Sequence, residues 1–333
     1  MTDPDIQPPA LPTFEVAIAA PDLSPWRTGN CGLPGVMRFT AAEPGPHVAL
    51  FALTHGNEIA GAIALDKLLR AGVRPTRGTL SFVFHNLDAF DRFDPQTPTA
   101  SRYCDEDLNR VWAADVLAGP RHSRELRRAR ALLPFVETVD VLLDLHSMLW
   151  PADPIILCGE SVRGRELGLA IGTPDLVVAD AGHASGRRLI DHARFIAVDG
   201  AARAVLVEAG QHWAAETVAT SLAAIAGLLL RHNVVAPCAA LPAVVTGASR
   251  FAEVTDTITA RGDFVFLQAY RGGDVVRRRN TLIALDGTEE IRTRHDNCLL
   301  IMPSLRPSRG HTSVRLARFV PILERVGDAS DPR

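Results

Sequence analysis

Residues 48–58 have the sequence VALFALTHGNE, and they decide how the chain is expected to fold. The first six are apolar and predict a buried strand. Residues 59–69 follow as an apolar stretch typical of a helix, which Asn57 is expected to cap. His55 and Glu58 are therefore expected where a strand ends and a helix begins, at the edge of an α/β sheet where ligands bind.

This histidine and glutamate can direct an imidazole and a carboxylate at one metal ion. Zinc accepts nitrogen and oxygen ligands, and a catalytic zinc uses three protein ligands and keeps one position open. A third ligand is available in VDVLLDLHS, residues 139–147, where another apolar strand ends in His146. Asp144, or a backbone carbonyl, can orient that ring from behind. The second strand-end histidine favours a metal site over the alternatives, a surface carboxylate and structural histidines.

Apolar runs and helical stretches alternate between about residues 47 and 235. Strands are expected at residues 48–53, 79–84, 139–145, 154–157, 176–178 and 204–207, and helices at 59–69, 123–136, 163–171 and 214–230. This alternation predicts an α/β fold with a largely parallel or mixed sheet flanked by helices.

The composition changes near Pro237, where a linker is expected. Short alternating runs with turn residues follow, and they predict a small all-β domain without a convincing helix. The predicted domains are an α/β domain at residues 1–236 and a C-terminal β domain at residues 237–333.

Composition and charge limit the partners and the compartment. The hydrophobic content of 47% allows a sizeable core, and the net charge of −3 favours neither nucleic acid nor an anionic membrane as a partner. Five scattered cysteines without a CxxC motif predict reduced thiols and a cytoplasmic protein. The acidic, proline-rich N-terminus lacks the features of a signal peptide, and no apolar run reaches the ~18 residues of a membrane span.

The loop SRYCDEDLNR, residues 101–110, is rich in groups that bind anions. Arg110 can bind a carboxylate with two parallel hydrogen bonds, and Asn109 can add a neutral donor. Arg102 can reach a developing oxyanion. In the alternative interpretation, both arginines pair with the acidic residues 105–107 at the surface.

Glu208 follows an apolar strand directly and is the candidate general base. A carboxylate at a partly dry strand end can take a proton from a metal-activated water and return it to a leaving amine. The alternative is an acidic residue at a helix N-terminus. His212 could line the same cleft or face solvent, and His85 with Asn86 is expected to be a structural pair. Motifs of serine hydrolases, P-loop proteins and dinucleotide-binding proteins are absent from the sequence.

Four motifs occur together, in the order HGNE, SRYxxxDLNR, DLHS and VEAG. In this order and at roughly this spacing, the chain resembles the succinylglutamate desuccinylase/aspartoacylase family of zinc-carboxypeptidase-like hydrolases. The resemblance covers about residues 45–235 and, more loosely, the part after residue 240. It implies one zinc ion per chain, held by His55, Glu58 and His146, with Glu208 as the acid and base. It also implies Arg102 at the scissile carbonyl, and Asn109 with Arg110 on a substrate carboxylate.

The implied reaction is hydrolysis of a small anionic N-acyl amino acid or N-acyl amine. Members of the family place a further substrate arginine before the catalytic glutamate, and four arginines here lie in that region: Arg187, Arg188, Arg194 and Arg203. They also bring a tyrosine from the C-terminal part to the substrate, for which Tyr270 is the candidate. The alternatives are a carboxypeptidase-type peptidase, which needs an open groove, and a non-catalytic scaffold. A homodimer is compatible with the resemblance.

Overall fold

The structure is a computed structural model that describes residues 11–183, 185–244 and 247–322. The prediction that the N-terminus is not a signal peptide concerns residues outside these ranges, as do the outer ends of both predicted domains.

Fourteen strands and seven α-helices are formed by the described residues. The strands are β1 (Val36–Thr40), β2 (Glu43–Ala52), β3 (Arg77–Phe84), β4 (Val141–Met148), β5 (Ile155–Leu157), β6 (Leu176–Ala179), β7 (Arg203–Gln211), β8 (Arg250–Thr259), β9 (Phe264–Phe266), β10 (Val275–Val276), β11 (Leu282–Asp286), β12 (Glu289–Arg292), β13 (Cys298–Ile301) and β14 (Thr312–Phe319). The helices are α1 (Ile59–Arg70), α2 (Leu87–Phe90), α3 (Ala114–Ala118), α4 (Arg124–Val136), α5 (Val162–Ile171), α6 (Ala193–Ile196) and α7 (Ala215–Arg231).

Eleven strands form one mixed sheet in the order β1-β3-β2-β4-β7-β5-β6-β8-β14-β13-β10. Strands β3, β2, β4 and β7 are mutually parallel neighbours. The carboxyl ends of β2, β4 and β7 therefore lie at the same edge of the sheet, which is where such folds bind ligands.

Both faces of the central strands are covered, which explains their unbroken apolar runs. In β2, Val48 and Leu50 pack into the core that contains the apolar faces of α1 and α7. Ala49 and Phe51 point the other way, into the core that contains the apolar face of α4. This two-sided packing confirms the predicted α/β fold with a mixed sheet flanked by helices.

The C-terminal part is rich in β-structure, as predicted, and has no helix between α7 and residue 322 among the described residues. Strand β8 pairs with β6, so β8, β14, β13 and β10 continue the large sheet, while β12, β11 and β9 form a separate sheet. A third core lies between them around Phe266 and Ile283. The domain boundary after residue 236 stays a prediction.

None of the helices in the described part of the chain has the length and apolar character needed to cross a membrane.

Candidate metal centre and its cavity

Three side chains from two strand ends converge on one point. His55 and Glu58 follow β2, and His146 lies near the end of β4. The Nδ1 atom of His55 lies 2.6 Å from Glu58 Oε1, and the Nδ1 atom of His146 lies 2.9 Å from Glu58 Oε2. One potential ligand atom of each residue lies within 4.8 Å of the others, and all three residues are buried. This group could hold a metal ion.

A carboxylate supports each histidine from behind. The Nε2 atom of His55 lies 2.9 Å from Asp107 Oδ1, and the Nε2 atom of His146 lies 2.9 Å from Asp144 Oδ2. When Nε2 donates to a carboxylate, the ring is held with Nδ1 free to act as a ligand. Asp144 thus makes the contact expected from the sequence, and Asp107 is an equivalent partner that the sequence analysis assigned only to a surface ion pair.

The charges of the cluster favour a cation at this point. Burial alone would raise the pKa of Glu58, but His55 and His146 hold it well below its usual range. Burial would likewise lower the pKa of His146, but Asp144 and Glu58 raise it well above its usual range. The buried carboxylates therefore remain charged, and protonated His146 supplies the positive charge beside them. A metal ion bound at Nδ1 would replace that proton and supply the positive charge instead.

The backbone of the HGNE motif is shaped by close packing. A Cβ atom on Gly56 would lie 2.5 Å from the carbonyl oxygen of Ser101, so no larger residue fits there. The Gly56 N–H donates to the carbonyl of Arg102 at 3.1 Å, which fixes the loop beside His55. The expected helix cap by Asn57 is wrong. Helix α1 begins after Glu58 instead, and Asn57 Oδ1 has no hydrogen-bond partner.

A hydrogen-bond chain extends behind His146 into the core. The Thr54 hydroxyl donates to Asp144 Oδ1 at 3.0 Å. It can then accept from His85 Nδ1, which also lies 3.0 Å away. Thr54, His85 and Asp144 are fully buried. His85 therefore has a structural contact, as expected, and Asn86 caps α2 by accepting from the N–H of Ala89 at 3.2 Å.

His55, Glu58 and His146, the candidate metal ligands, line a cavity of about 210 Å³ together with Glu208. Glu208 lies opposite His146 in the pairing of β4 with β7. Its Oε2 atom is buried and has no hydrogen-bond partner. Burial, helped by the charge of Glu58, raises the pKa of Glu208 to about 8. It lies within strand β7, whereas α7 begins only at Ala215, so it is not an acid at that helix terminus.

The three predicted residues of the loop 101–110 also line this cavity. Arg102 donates to Glu58 Oε1 at 3.3 Å and to Asp107 Oδ2 at 3.2 Å. Arg110 lies 3.7 Å from the same Asp107 carboxylate. The surface-pairing alternative is thus partly correct, because both arginines do pair with Asp107, but they do so in the wall of the cavity. The side-chain oxygen of Asn109 accepts from the N–H of Leu189 at 2.8 Å.

Tyr270 lies elsewhere, in the third core, where its ring packs on Phe266 with centroids 5.7 Å apart. It is not among the residues that line the cavity. Its role in substrate binding stays a prediction.

Of the four arginines before Glu208, Arg188 is the one that lines the cavity. It is almost fully buried and pairs with Asp180 and Asp191. His212 also lines the cavity, and its Nδ1 atom lies 2.8 Å from the hydroxyl of Ser147. The first of the two alternatives for His212 is therefore the observed one.

Several further wall residues were not anticipated from the sequence. They come from the loops after β4, β6 and β13 and from β14, and include Trp150, His183, Met302, Pro303, Ser304, Thr312 and Arg315. The contribution of the C-terminal part was expected in general terms. Its residues carry no local motif, and long-range contacts such as the pairing of β8 with β6 and the bridge between Ala152 and Gly272 join this part to the region of the cavity.

The fold and this site define an α/β protein with a buried candidate metal centre in a small, arginine-rich cavity. Comparisons with known proteins identify similar sequences and folds. Residues 44–149 match the family model described as the succinylglutamate desuccinylase/aspartoacylase catalytic domain. A curated protein named probable aspartoacylase, from Parasynechococcus marenigrum (strain WH8102), is 39% identical over 100 residues. That match covers 28% of this chain and 31% of the relative.

Solved structures share the fold over most of the chain. The succinylglutamate desuccinylase of Vibrio parahaemolyticus has a TM-score of 0.64 at 17% identity, over 86% of this chain and 87% of that one. A succinylglutamate desuccinylase/aspartoacylase of Rhodobacter sphaeroides has a TM-score of 0.62 at 17% identity, over 86% and 89%. At such identities these structures show a common fold alone.

Residues 44–149 are therefore similar to the catalytic domain of the succinylglutamate desuccinylase/aspartoacylase family, whose members are hydrolytic deacylases. The matched segment contains three of the four motifs, HGNE, SRYxxxDLNR and DLHS.

Proposed function

We propose that this protein is a zinc-dependent amidohydrolase that removes the acyl group from a small anionic N-acyl amino acid or N-acyl amine. The observation that carries the proposal is the buried group of His55, Glu58 and His146, which shares one cavity with the buried carboxyl group of Glu208. Two imidazole nitrogens and a carboxylate are a ligand set that zinc accepts at catalytic sites.

Each side chain of the cavity has a distinct role in this proposal. Zinc bound by the three ligands would activate a water molecule and polarise the scissile carbonyl group. Glu208 accepts a proton in the cavity and returns it to the leaving nitrogen, which suits a carboxyl group whose pKa burial has raised to about 8. Arg102 stabilises the negative charge that develops on the carbonyl oxygen. Asn109 and Arg110 bind a carboxylate of the substrate.

The shape of the cavity supports a small substrate over a peptide. A carboxypeptidase-type enzyme needs an open groove long enough for a peptide, and a cavity of about 210 Å³ has room for a small molecule. Residues of the C-terminal part, among them Pro303 and Thr312, form part of its wall.

A cytoplasmic location and a homodimer belong to the same proposal.

The proposal is tested with protein stripped of metal and then reloaded with zinc. We expect the zinc-loaded protein to hydrolyse at least one compound in a panel of N-acetyl, N-succinyl and N-formyl amino acids, and the stripped protein to hydrolyse none. Magnesium-loaded protein serves as the ion control. Equally poor hydrolysis by all three forms, with circular dichroism showing an intact fold, would refute the function.

The hydrogen-bond chain behind His146 gives a second prediction. Replacing Thr54 by valine removes the donor to Asp144 and leaves His85 Nδ1 without its partner. We expect the affinity for zinc to fall about tenfold, the lower end of the effect of removing a direct partner of a metal-bound histidine, because Thr54 acts through Asp144.

Competition with a zinc-binding dye measures this change. Thr79→Val is a matched control, because it removes a hydroxyl of similar burial whose partner is Thr40, away from the cavity. If Thr54→Val and Thr79→Val bind zinc equally well, the chain does not support the metal site.

A further inference from the structure

One arginine of the cavity comes from the C-terminal part. Arg315 lies on β14 and is 2% exposed, yet it lines the cavity together with Ser304 and Thr312. All three lie outside the segment 44–149 that matches the family's catalytic domain. Two hydroxyl groups and a guanidinium are hydrogen-bond donors, so this end of the cavity offers donors to a bound molecule.

Arg315 lacks the partners that a buried guanidinium needs. Its neighbour Arg188 donates to Asp180 Oδ2 at 3.0 Å and to Asp191 Oδ2 at 2.7 Å, and its Nη2 atom lies 2.9 Å from Asp180 Oδ1 in an ion pair. Arg315 Nε lies 3.5 Å from the same Asp180 carboxylate and has no hydrogen-bond partner. Asp180 and Asp191 are therefore bound mainly by Arg188, and the remaining carboxylate whose charge acts on Arg315 is the cavity residue Glu208.

The other contact of Arg315 does not supply negative charge. Its Nη2 atom lies 3.0 Å from Nε2 of His183. Burial and the charge of Arg315 lower the pKa of His183, so the ring is neutral. A neutral imidazole can accept a hydrogen bond but does not neutralise a cation.

Neighbouring positive charges further destabilise the buried guanidinium of Arg315. Burial lowers the pKa of Arg110 to about 10, and the charges of Arg188 and Arg315 contribute to that effect. Burial, together with the charge of Arg188, also lowers the pKa of Arg315. Buried cations that repel one another are stabilised by an anion between them, and the planar guanidinium fits a carboxylate with two hydrogen bonds.

We propose that Arg315 is a specificity-determining residue that binds an anionic group of the substrate in the cavity that Ser304 and Thr312 also line. The inference rests on the proposed function and deepens it. The substrate would carry two anionic groups, one bound by Asn109 and Arg110 and a second bound by Arg315. The inference also assigns substrate selection to the C-terminal strands.

The test measures binding of two probes by calorimetry, so it does not depend on turnover. Succinate has two carboxylates, and butyrate has the same number of carbon atoms with one carboxylate. We expect the wild-type protein to bind succinate at least tenfold more tightly than butyrate. Arg315→Met is expected to weaken succinate binding about tenfold to a hundredfold, which is the usual effect of losing a hydrogen bond between charged groups. The same variant should change butyrate binding little.

Arg318→Met is the matched control, because Arg318 lies on the same strand and is exposed. Its binding of both probes should equal that of the wild type. Arg315→Lys keeps the positive charge but loses the planar guanidinium that forms two parallel hydrogen bonds, so it is expected to weaken succinate binding severalfold. This variant tests the proposal even if Arg315→Met does not fold.

The proposal is overturned if the wild type does not prefer succinate, or if both Arg315 variants bind succinate as the wild type does. Failure of the proposed function is a separate result. A protein that prefers succinate but hydrolyses no N-acyl compound would refute the reaction and leave the anion site in place. An active deacylase without the preference would refute Arg315 alone.

Discussion

Replacing Glu208 by glutamine is expected to lower kcat by a factor of about 10² to 10⁴ while zinc stays bound. The amide has nearly the same size as the carboxyl group but cannot accept a proton. Glu208 is buried, its Oε2 atom has no hydrogen-bond partner, and it is not one of the three potential metal ligands. The substitution should therefore change proton transfer and leave the metal site and the fold unchanged.

Steady-state kinetics and zinc content of the same preparation measure this effect. Glu216→Gln is the control, because Glu216 is an exposed acid in the first turn of α7. It should retain full activity and full zinc content. Unchanged kcat in Glu208→Gln would remove this residue from the mechanism. Loss of zinc in that variant would instead assign Glu208 to the metal site.

Replacing His146 by alanine should have an even larger effect, because it removes a metal ligand. We expect loss of bound zinc and a fall in activity of more than about 10³, since both metal-dependent steps are lost together. The variant also leaves Asp144 and Glu58 as buried carboxylates without this partner. Breaking such a buried pair typically costs about 3 to 5 kcal/mol, so its free energy of unfolding should fall as well.

The exposed residue His122 provides the matched control for this variant. His122→Ala should bind zinc and unfold as the wild type does. Chemical denaturation followed by tryptophan fluorescence shows whether His146→Ala is folded under the assay conditions. A folded His146→Ala protein with normal zinc content would contradict the assignment of this ligand.

The sequence predicted the sheet that carries the site because its central strands are apolar on both faces. Residues 79–84 were expected to form a strand, and β3 is Arg77–Phe84. Residues 59–69 were expected to form a helix, and α1 is Ile59–Arg70. These elements can be recognised without knowing the rest of the fold, because a strand that is covered on both faces is apolar along its whole length in any α/β sheet.

The grouping of the three candidate metal ligands could also be predicted, because these residues stand at strand ends. Parallel neighbouring strands bring their carboxyl ends together, so His55 and His146 meet once β2 pairs with β4. The contact of His55 with Asp107 could not be predicted in this way. It depends on the path of the loop over Gly56, which no periodic pattern encodes.

Arg315 was missed for a related physical reason. In an alternating strand, a charged residue between Val314 and Leu316 indicates a solvent-facing position. Strand β14 instead lies inside the large sheet between β8 and β13, and residues 313–317 are all buried. The long-range pairing of this strand therefore determines the environment of Arg315. Tyr270 illustrates the same point, because it lies in the C-terminal part, as the resemblance implies, but its ring packs in the third core.

The zinc content of the purified wild-type protein, measured by elemental analysis, tests the central claim most directly. The account predicts about one zinc ion per chain, or uptake of one after stripping and addition of zinc, with His122→Ala matching the wild type and His146→Ala binding none. A well-folded wild-type protein that contains no metal and takes up no added zinc would contradict it. The two strand-end histidines would then be structural, and the non-catalytic scaffold would become the better explanation of the fold.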